Sequence, residues 1–406
     1  MSTKIRFIIN TYQNSKWFLL FGSLSILILT AAACSDTDII STDELDTISV
    51  IESKSPNSPA SNEGPYSDFS AVAFDIDAVS DGSILVTYNN VIKEIRKNKV
   101  NTVTTLPTAN GSPITGISDI GRGNFFAISG RVFSNDQEAI LWRVSRGEAR
   151  KISDIQAFEE AQDPDAQIYD PRCNNVFPFV AGPQSDPYHI TTLNGREVLI
   201  ADAAGNTLLS AKTDGSIDWV ALFPPAVDDQ GNIPTVPITL NNGEVISCKA
   251  QPVPTSVAVG PDGAYYVGEL TGTPAQPGWS RIWRVESDAM NTVCPSDDCT
   301  LAVTGLTSII DLTFGPDGML YVAEYDKNSW LSLFGGTPAG GAIKKCDVSN
   351  IPTSSNKGCV IVEEAGIYPD LPLPSALTFD KWGNLWSLLD NLGTIGNPTV
   401  RKISLP

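Results

Sequence analysis

The stretch Ser256-Val-Ala-Val-Gly-Pro-Asp-Gly-Ala-Tyr-Tyr-Val-Gly-Glu269 decides the fold, because it returns nearly unchanged as Asp311-Leu-Thr-Phe-Gly-Pro-Asp-Gly-Met-Leu-Tyr-Val-Ala-Glu324. Each copy is typical of a strand, a tight turn and a second strand that ends on a glutamate. Gly263 and Gly318 suit the turns, because glycine adopts a positive φ without steric strain. Repetition of one supersecondary unit predicts a fold assembled from copies of it.

Four weaker copies of this unit occur elsewhere in the chain. Their turn glycines are Gly82, Gly123, Gly195 and Gly383, and in the first of them we place the opening strand at Ser70–Phe74. Each copy is followed by segments in which apolar and polar residues alternate, as they do in strands. Four short strands per repeat, in repeats longer than about 40 residues, are typical of propeller blades. The sequence therefore predicts an all-β, six-bladed β-propeller, with an open six-unit array or a double sandwich as the alternative.

The last copy has only three strands, of which Val400–Ile403 is the third. An unpaired sheet edge is a liability that proteins avoid. We therefore expect an N-terminal segment to close the sixth blade. The first candidate is Asp46–Ile51, and the second is Tyr66–Phe69.

The N-terminus has the layout of a secretory signal peptide. Basic residues precede the uncharged stretch Trp17–Ala33, which ends in small residues before Cys34. The segment Leu29–Cys34 resembles a bacterial lipobox, with Ala31 where leucine is usual, and this resemblance implies a lipid on Cys34. Ordinary cleavage beside an incidental cysteine, or an uncleaved anchor, is the alternative.

These features divide the chain into a signal peptide (1–33), an acidic tether (34–68) that can also supply the closing strand, and the propeller domain (69–406). We expect a monomer in the cell envelope, anchored by lipid to a bacterial membrane and facing the periplasm or the exterior, or a secreted protein if no lipid is added. The net charge of −19 argues against nucleic acid, since phosphate contacts need clustered Lys and Arg. The acidity serves either solubility or the attraction of cations such as Ca²⁺.

Six cysteines follow Cys34, an even number that indicates disulfides in an exported chain. Proximity along the chain and between predicted strands gives the pairs Cys173–Cys248, Cys294–Cys299 and Cys346–Cys359. Zinc binding is the weaker alternative, because the chain has no Cys-x-x-Cys pair and a single histidine.

We call the end at which each first strand begins the upper face of the propeller. All the long insertions fall on it, including 154–187, which opens with a predicted short helix capped by Asp154, and 224–254. Elaborated loops on a rigid scaffold usually carry binding sites. We therefore expect a small molecule or a protein to bind there. The candidate binding residues are Tyr188, His189, Asp311, Trp279 and Trp330.

Acidic residues recur where second strands end, at the upper mouth of the predicted channel. The candidate metal ligands are Asp202, Glu269, Glu324 and Asp390, with Asn89 at the matching place in blade one. Carboxylates that converge there could hold Ca²⁺ or another divalent cation, or could instead bond backbone groups between blades. His189 is a possible general base, although a single histidine is more often a packed residue. No nucleophile or phosphate-loop motif appears, so catalytic residues stay unassigned and we lean towards a non-enzymatic protein.

The Pro-Asp-Gly turn followed by Leu-Tyr-Val resembles the repeats of NHL-type and gluconolactonase-like six-bladed propellers. More closely, blades three to five resemble the ScyD/ScyE family. The matching segments are Asp186-Pro-Tyr-His-Ile190, Ala201-Asp-Ala-Ala-Gly-Asn-Thr-Leu-Leu209, Phe223-Pro-Pro225, Pro254–Gly272 and Gly305–Gly318. This resemblance implies an exported propeller and carries no activity with it.

Gluconolactonase-like enzymes hold a divalent cation with acidic and asparagine ligands, which Asp202, Glu269, Glu324 and Asn89 match loosely. Two hypotheses follow. The first is a lipid-anchored, non-enzymatic propeller that binds a ligand or partner on its upper face. The second is a metal-dependent hydrolase or lactonase.

Overall fold

The computed structural model describes residues 64–405, apart from 68, 71, 174–181, 229, 335, 350–358, 365–371 and 395. It is a six-bladed β-propeller, as the sequence predicts. Blades one to three contain β1 (Ile76–Ala78), β2 (Ile84–Tyr88), β3 (Val91–Arg96), β4 (Lys99–Thr105), β5 (Ile114–Gly121), β6 (Asn124–Ser129), β7 (Ile140–Ser145), β8 (Glu148–Asp154), β9 (Pro187–Asn194), β10 (Glu197–Asp202), β11 (Thr207–Lys212) and β12 (Ile217–Leu222).

The hairpin β13 (Thr235–Thr239) and β14 (Val245–Lys249) separates blades three and four. Blades four to six contain β15 (Pro254–Val259), β16 (Tyr265–Glu269), β17 (Ser280–Val285), β19 (Cys299–Leu306), β20 (Ile309–Phe314), β21 (Leu320–Glu324), β22 (Ala342–Cys346), β23 (Cys359–Glu364), β24 (Pro374–Phe379), β25 (Leu385–Leu389) and β26 (Thr399–Ile403). The short strand β18 (Thr292–Val293) lies parallel to β12 at the outer edge of blade three. All other strand pairs are antiparallel.

The core lies between neighbouring blades, whose sheets pack face to face. The second strands β16, β21 and β25 are buried along their whole length, because a neighbouring blade covers each of their faces. Between blades three and four, Leu199 and Leu208 pack with Val267 and Trp283. These continuous apolar runs explain why the second strands are the most similar parts of the repeats.

The N-terminal segment closes blade six at Tyr66. Tyr66 and Val400 exchange two backbone hydrogen bonds of 2.8 Å each, and the Tyr66 ring stacks on Trp386 with centroids 6.3 Å apart. Tyr66, from the second of the two predicted candidates, thus pairs with β26 through an isolated bridge, and β24, β25 and β26 form the rest of blade six. Asp46–Ile51 lies outside the described residues, as do the predicted signal peptide, Cys34 and most of the tether.

One prediction for blade one is wrong in register. Its first strand is β1 at Ile76–Ala78, and not Ser70–Phe74. Both stretches alternate in the same way, but Asp75 and Thr87 fix the choice, since the backbone N–H of Thr87 donates to the Asp75 carbonyl at 3.0 Å. The last residue of β1, Ala78, lies as far before the Gly82 turn as Val259 of β15 lies before Gly263, so the turn spacing agrees with the observed register.

The three predicted disulfides form, with Cα–Cα distances of 5.9 Å for Cys173–Cys248, 5.2 Å for Cys294–Cys299 and 4.0 Å for Cys346–Cys359. The first ties the insertion before blade three to hairpin β13–β14. Three disulfides are typical of a periplasmic or extracellular protein. Across the described ranges, no helix combines the length and apolarity needed to cross a bilayer.

The insertion between blades two and three begins with helix α1 (Ile155–Gln162). Asp154 caps it as predicted, because its side chain accepts the N–H of Ala157 at 3.1 Å. The helix ends at Asp163, which has a left-handed conformation with φ of 38°. A single turn of 3-10 helix follows at Pro171–Cys173.

Candidate ligand site in the central channel

The first strands of the six blades surround a central channel, and three side chains from alternate blades meet inside it. They are Asp75 of blade one, His189 of blade three and Asp311 of blade five. The Nε2 atom of His189 lies 3.9 Å from an Asp75 oxygen and 3.6 Å from an Asp311 oxygen. We call this group the channel triad. Two of its members, His189 and Asp311, are predicted binding residues, whereas Asp75 is not.

Each member of the channel triad also fastens its blade to the next one. The donors are the backbone N–H groups of Ile117 to Asp75 at 2.8 Å, Val257 to His189 at 3.4 Å, and Leu377 to Asp311 at 2.6 Å. These bonds link blade one to two, three to four and five to six. The triad therefore has a structural role that is independent of any ligand.

The bond from Val257 sets the tautomer of His189. Because Nδ1 accepts that N–H, a neutral imidazole carries its proton on Nε2, where it points towards the two carboxylates. Burial lowers the pKa of His189 to about 4. Burial also raises the pKa of Asp311 to about 8, and burial together with the nearby Asp311 raises the pKa of Asp75 well above its usual value. The histidine is thus neutral at neutral pH, and burial favours the protonated form of both acidic neighbours.

Below the triad the channel widens towards the lower face, where the Asp-Gly turns lie. A narrow cavity of about 70 Å³ lies between His189, Ser118 and Thr378. Beyond it a larger cavity of about 580 Å³ opens at the mouth formed by the ends of β1, β5, β9 and β24. We call this larger cavity the lower mouth. Its polar and charged lining residues are Asp77, Ser80, Ser118, Asp119, Thr192, Asn194 and Lys381.

The lower mouth has an acidic wall. The Asp77 carboxylate accepts the N–H of Asp119 at 2.6 Å, and burial raises the pKa of Asp77 to about 7. Burial raises the pKa of Asp119 as well. Lys381 is the cationic side chain among the described lining residues; its ammonium donates to the Asp81 carbonyl at 2.7 Å and lies over the Trp382 ring. In their ionised forms, Asp77 and Asp119 attract positively charged solutes.

The upper mouth, by contrast, is packed with aromatic residues. Phe74 meets the Tyr188 ring edge-on, with centroids 6.0 Å apart. The Tyr325 hydroxyl donates to Asn391 at 2.7 Å, and the Asn391 amide is 3.5 Å from the Tyr188 hydroxyl. Phe74, Tyr325 and Asn391 are buried. Tyr188 thus lies in the upper mouth as predicted, but as part of this packing.

The two predicted tryptophans lie in upper loops and outside the channel. The Trp330 indole N–H donates to the Thr271 carbonyl at 2.8 Å, and its ring packs edge-on against Phe334. Trp279 is half-buried in the blade-four loop, where its backbone N–H donates to Gln276. The structure does not bring either ring to His189.

The predicted metal ligands each bond within or next to their own blade. Glu269 is fully buried and accepts from Arg281 at 2.7 Å and from the Trp283 indole at 2.5 Å. Glu324 accepts from the backbone of Thr307 at 2.7 Å and from Lys344 at 2.9 Å. These bonds place both glutamates among the inter-strand contacts of the upper loops.

Asp202 and Asp390 also have local partners. Asp202 accepts from the Ser185 hydroxyl at 2.5 Å and from two backbone N–H groups, and Asp390 accepts from the N–H of Thr394 at 2.7 Å. Asn89 has a left-handed backbone with φ of 53°. Within the described ranges, two groups of acidic or histidine side chains lie close enough together to share an ion. Neither group contains any of the five predicted metal ligands.

The repeat itself contains the signal for Asp75. The Oδ1 atoms of Asp75 and Asp311 each accept the N–H of the next residue at 2.8 Å, so the two are equivalent in their blades. A correct register for blade one would have aligned Asp75 with Asp311. No comparable signal marks Asp77 or Asp119, whose importance depends on which strand ends lie beside each other.

Comparison with known proteins gives the fold and no activity. No protein-family model matches the chain, and no curated protein matches its sequence. Among solved structures, a streptogramin B lyase is 16% identical with a TM-score of 0.45, covering 85% of this chain and 97% of that one.

Two further structures have similar scores. A putative glucose dehydrogenase from Thermus thermophilus is 12% identical with a TM-score of 0.47, covering 82% of this chain and 96% of that one. The PQQ-bound aldose sugar dehydrogenase from Streptomyces coelicolor is 9% identical with a TM-score of 0.48, covering 85% and 96%. At these identities the likeness concerns the fold alone.

Proposed function

We propose that this protein is an exported, lipid-anchored propeller that binds a small cationic ligand at the lower mouth of its channel without converting it. The proposal rests on the cavity of about 580 Å³ at the lower mouth. Its wall contains the carboxyl groups of Asp77 and Asp119, and the Lys381 ammonium in the same wall donates to a backbone carbonyl. The volume is within the range of small-molecule sites. The long upper loops are then left for a protein partner.

Charge supports a cationic ligand. Burial raises the pKa values of Asp77 and Asp119, and it also raises those of Asp75 and Asp311 deeper in the channel. A cation placed among such groups stabilises their ionised form and recovers attraction that water does not screen. The ionised carboxylates of this mouth would repel an anionic ligand, so we do not expect sugar phosphates or nucleotides to bind there.

Thermal shift in the presence of small probes tests the ligand class. We expect 1,4-diaminobutane and choline to raise the melting temperature, and glucose, acetate and phosphate to leave it unchanged. Asp77→Asn should remove the effect of the amines, whereas Glu148→Gln, an equal loss of charge on the exposed edge of blade two, should keep it. Stabilisation by phosphate in place of the amines would refute the proposal.

The lipid anchor has a separate test. Cys34→Ser, expressed in a bacterial host that lipidates exported proteins, should move the protein from the membrane fraction to the soluble fraction. An unchanged distribution would refute the anchor and leave the ligand proposal intact.

A divalent-metal-dependent hydrolase is the second candidate, because the channel triad offers three ligand atoms within 4.8 Å of one another. The His189 tautomer opposes it. A metal on Nε2 would move the proton to Nδ1, which already faces the N–H of Val257. Zn²⁺-dependent hydrolysis of D-glucono-1,5-lactone that Asp311→Asn abolishes would favour this candidate over the first.

A further inference from the structure

The insertion between blades two and three holds a second group of acids, away from the channel. Glu159 lies on α1, Asp163 ends the helix, and Asp165 follows two residues later. One carboxylate oxygen from each lies within 4.8 Å of the other two. We call these three residues the α1 acids. They take no part in the function proposed above.

Two of the α1 acids, Glu159 and Asp163, have carboxylate oxygens that are buried without a hydrogen-bond partner. Glu159 is 0% exposed, and neither of its carboxylate oxygens has a hydrogen-bond partner. One buried oxygen of Asp163 and the hydroxyl of Tyr169 are likewise unpartnered. Within the described part of the chain, no lysine or arginine forms an ion pair with any of the α1 acids. A buried carboxylate without donors is strongly unfavourable, so this geometry points to a bound cation.

Blade three closes the group from the other side. A Cβ atom at Gly205 would lie 3.2 Å from a Glu159 oxygen and 3.3 Å from the Asp202 carboxyl carbon, so the absence of a side chain there brings the two acids close together. Asp165 accepts the Asn206 amide at 2.7 Å, which orients it towards the same place. The loop after β10 therefore forms one wall of the group.

The position on the helix is also unfavourable without a cation. The C-terminal end of a helix carries a partial negative charge, which disfavours nearby carboxylates. Glu159 lies in the second half of α1, Asp163 caps its C-terminus, and the last turn has no basic residue. The C-terminal end of α1 therefore combines a partial negative charge with acidic side chains, and its last turn has no basic residue to compensate them.

We propose that Glu159, Asp163 and Asp165 bind one calcium ion, which fixes helix α1 to blade three. The donors are all oxygen atoms, as hard cations such as Ca²⁺ prefer, and the group contains no sulfur or imidazole to favour zinc or copper. Extracellular calcium sites commonly have dissociation constants near 10⁻⁴ to 10⁻³ M. The ion would stabilise the start of the insertion between blades two and three, and the disulfide Cys173–Cys248 links a later part of the same insertion to β14.

Like charges surround Glu159. Burial and the nearby Asp202, Asp165 and Asp163 raise the pKa of Glu159 to about 9. Burial raises the pKa of Asp165 to about 7, against the opposing bond from Asn206. Both shifts reflect burial and the lack of a neighbouring cation.

Calorimetric titration of the full chain in detergent with CaCl₂, after treatment with EGTA, tests the site. We expect one equivalent of Ca²⁺ to bind at pH 7.5. Glu159→Gln should abolish binding. The matched control is Glu160→Gln on the exposed side of α1, where the side chain accepts from Gln156 at 3.0 Å, and it should bind as the wild type does.

Two further variants keep the outcome clear. Asp163→Asn, at a half-buried position, should weaken binding at least tenfold and serves if Glu159→Gln does not fold. Asp311→Asn, in the channel, should leave Ca²⁺ binding unchanged, which separates this site from the channel triad. No uptake by the wild type at 5 mM Ca²⁺, or unaltered uptake by folded Glu159→Gln or Asp163→Asn, would overturn the proposal. None of these outcomes depends on the ligand at the lower mouth.

Discussion

Asp75 and Asp311 occupy the same place in blades one and five. In each, Oδ1 accepts the N–H of the next residue at 2.8 Å, and Oδ2 accepts an N–H from the inner strand of the following blade. The two carboxylates approach the same His189 nitrogen. Acids in the channel therefore hold the blades together, and any ligand must be accommodated around bonds that the fold needs.

The inter-blade role of Asp311 predicts a stability loss on substitution. In Asp311→Asn, the new NH₂ group replaces one of the two oxygens that accept the backbone N–H groups of Leu312 and Leu377. One of these N–H groups then has no acceptor, and an unsatisfied buried donor costs about 1–3 kcal/mol. We expect urea denaturation to show a loss of that size, while Glu148→Gln on an exposed strand changes the free energy of unfolding by less than about 0.5 kcal/mol. Equal stabilities of the two variants would show that the bond from Leu377 contributes nothing.

Raised acid pKa values predict stability that falls as pH rises. Burial raises the pKa of Asp77 and Asp186 to about 7 and that of Asp311 to about 8, well above the values of about 4 in an unfolded chain. Between these limits the folded state binds more protons than the unfolded state, so stability decreases with pH. His189 acts in the opposite direction only between pH 4 and about 6.5, because burial lowers its pKa to about 4.

The expected result is a lower melting temperature at pH 8 than at pH 5.5, measured in EGTA so that cations do not mask the effect. Repulsion within a chain of net charge −19 acts in the same direction. A melting temperature that rises steadily over this range would mean that the channel acids are ionised in the folded protein.

Closure at Tyr66 predicts where the chain can be shortened. A chain that begins at residue 62 keeps the pair Tyr66–Val400 and the stacking on Trp386, whereas one that begins at residue 70 loses both. We expect the first to melt close to the full chain and the second several degrees lower. If removing residues 1–61 alone causes the drop, then Asp46–Ile51 makes the decisive contribution to closure.

The disulfides should differ in their contribution to stability according to the loop that each closes. Cys173–Cys248 spans 75 residues and Cys294–Cys299 spans 5. Loop-closure entropy gives about 4 kcal/mol for the first and about 2 kcal/mol for the second. Paired substitution to alanine, followed by urea denaturation, should reproduce this order. The reverse order would mean that the upper loops retain their contacts in the unfolded chain.

The turns and buried second strands made most of the fold predictable. Gly263 and Gly318 mark matching turns, and the apolar runs beside them are long enough to align the copies. The disulfide pairs followed once the strands were ordered, since Cys346 and Cys359 lie opposite each other on β22 and β23. Blade one was harder, because Ser70–Phe74 and Ile76–Ala78 alternate alike. The spacing from Asp75 to Gly82, which equals that from Asp311 to Gly318, and the Asp75 hydrogen bonds both favour the second.

The candidate site was predictable only in part. His189 and Asp311 stood out as polar residues near the start of inner strands. Asp75 was missed because of the register chosen for blade one, although the repeat aligns it with Asp311. Asp77 reaches the channel through closure of the ring, which no local pattern records. The same is true of Glu159, whose burial depends on how α1 packs against the loop containing Gly205. Trp279 and Trp330 lie in the long upper loops, whereas the cavity of about 580 Å³ at the end of the channel lies among the turns of the lower face.

Binding of a cation at the lower mouth can be observed in a crystal structure of the protein soaked in 1,4-diaminobutane. We expect new difference density at the lower mouth, with one ammonium group within hydrogen-bond distance of Asp77 or Asp119 and the inter-blade bonds intact. Density confined to the upper loops, or a lower mouth unchanged at millimolar diamine while the melting temperature rises, would contradict it.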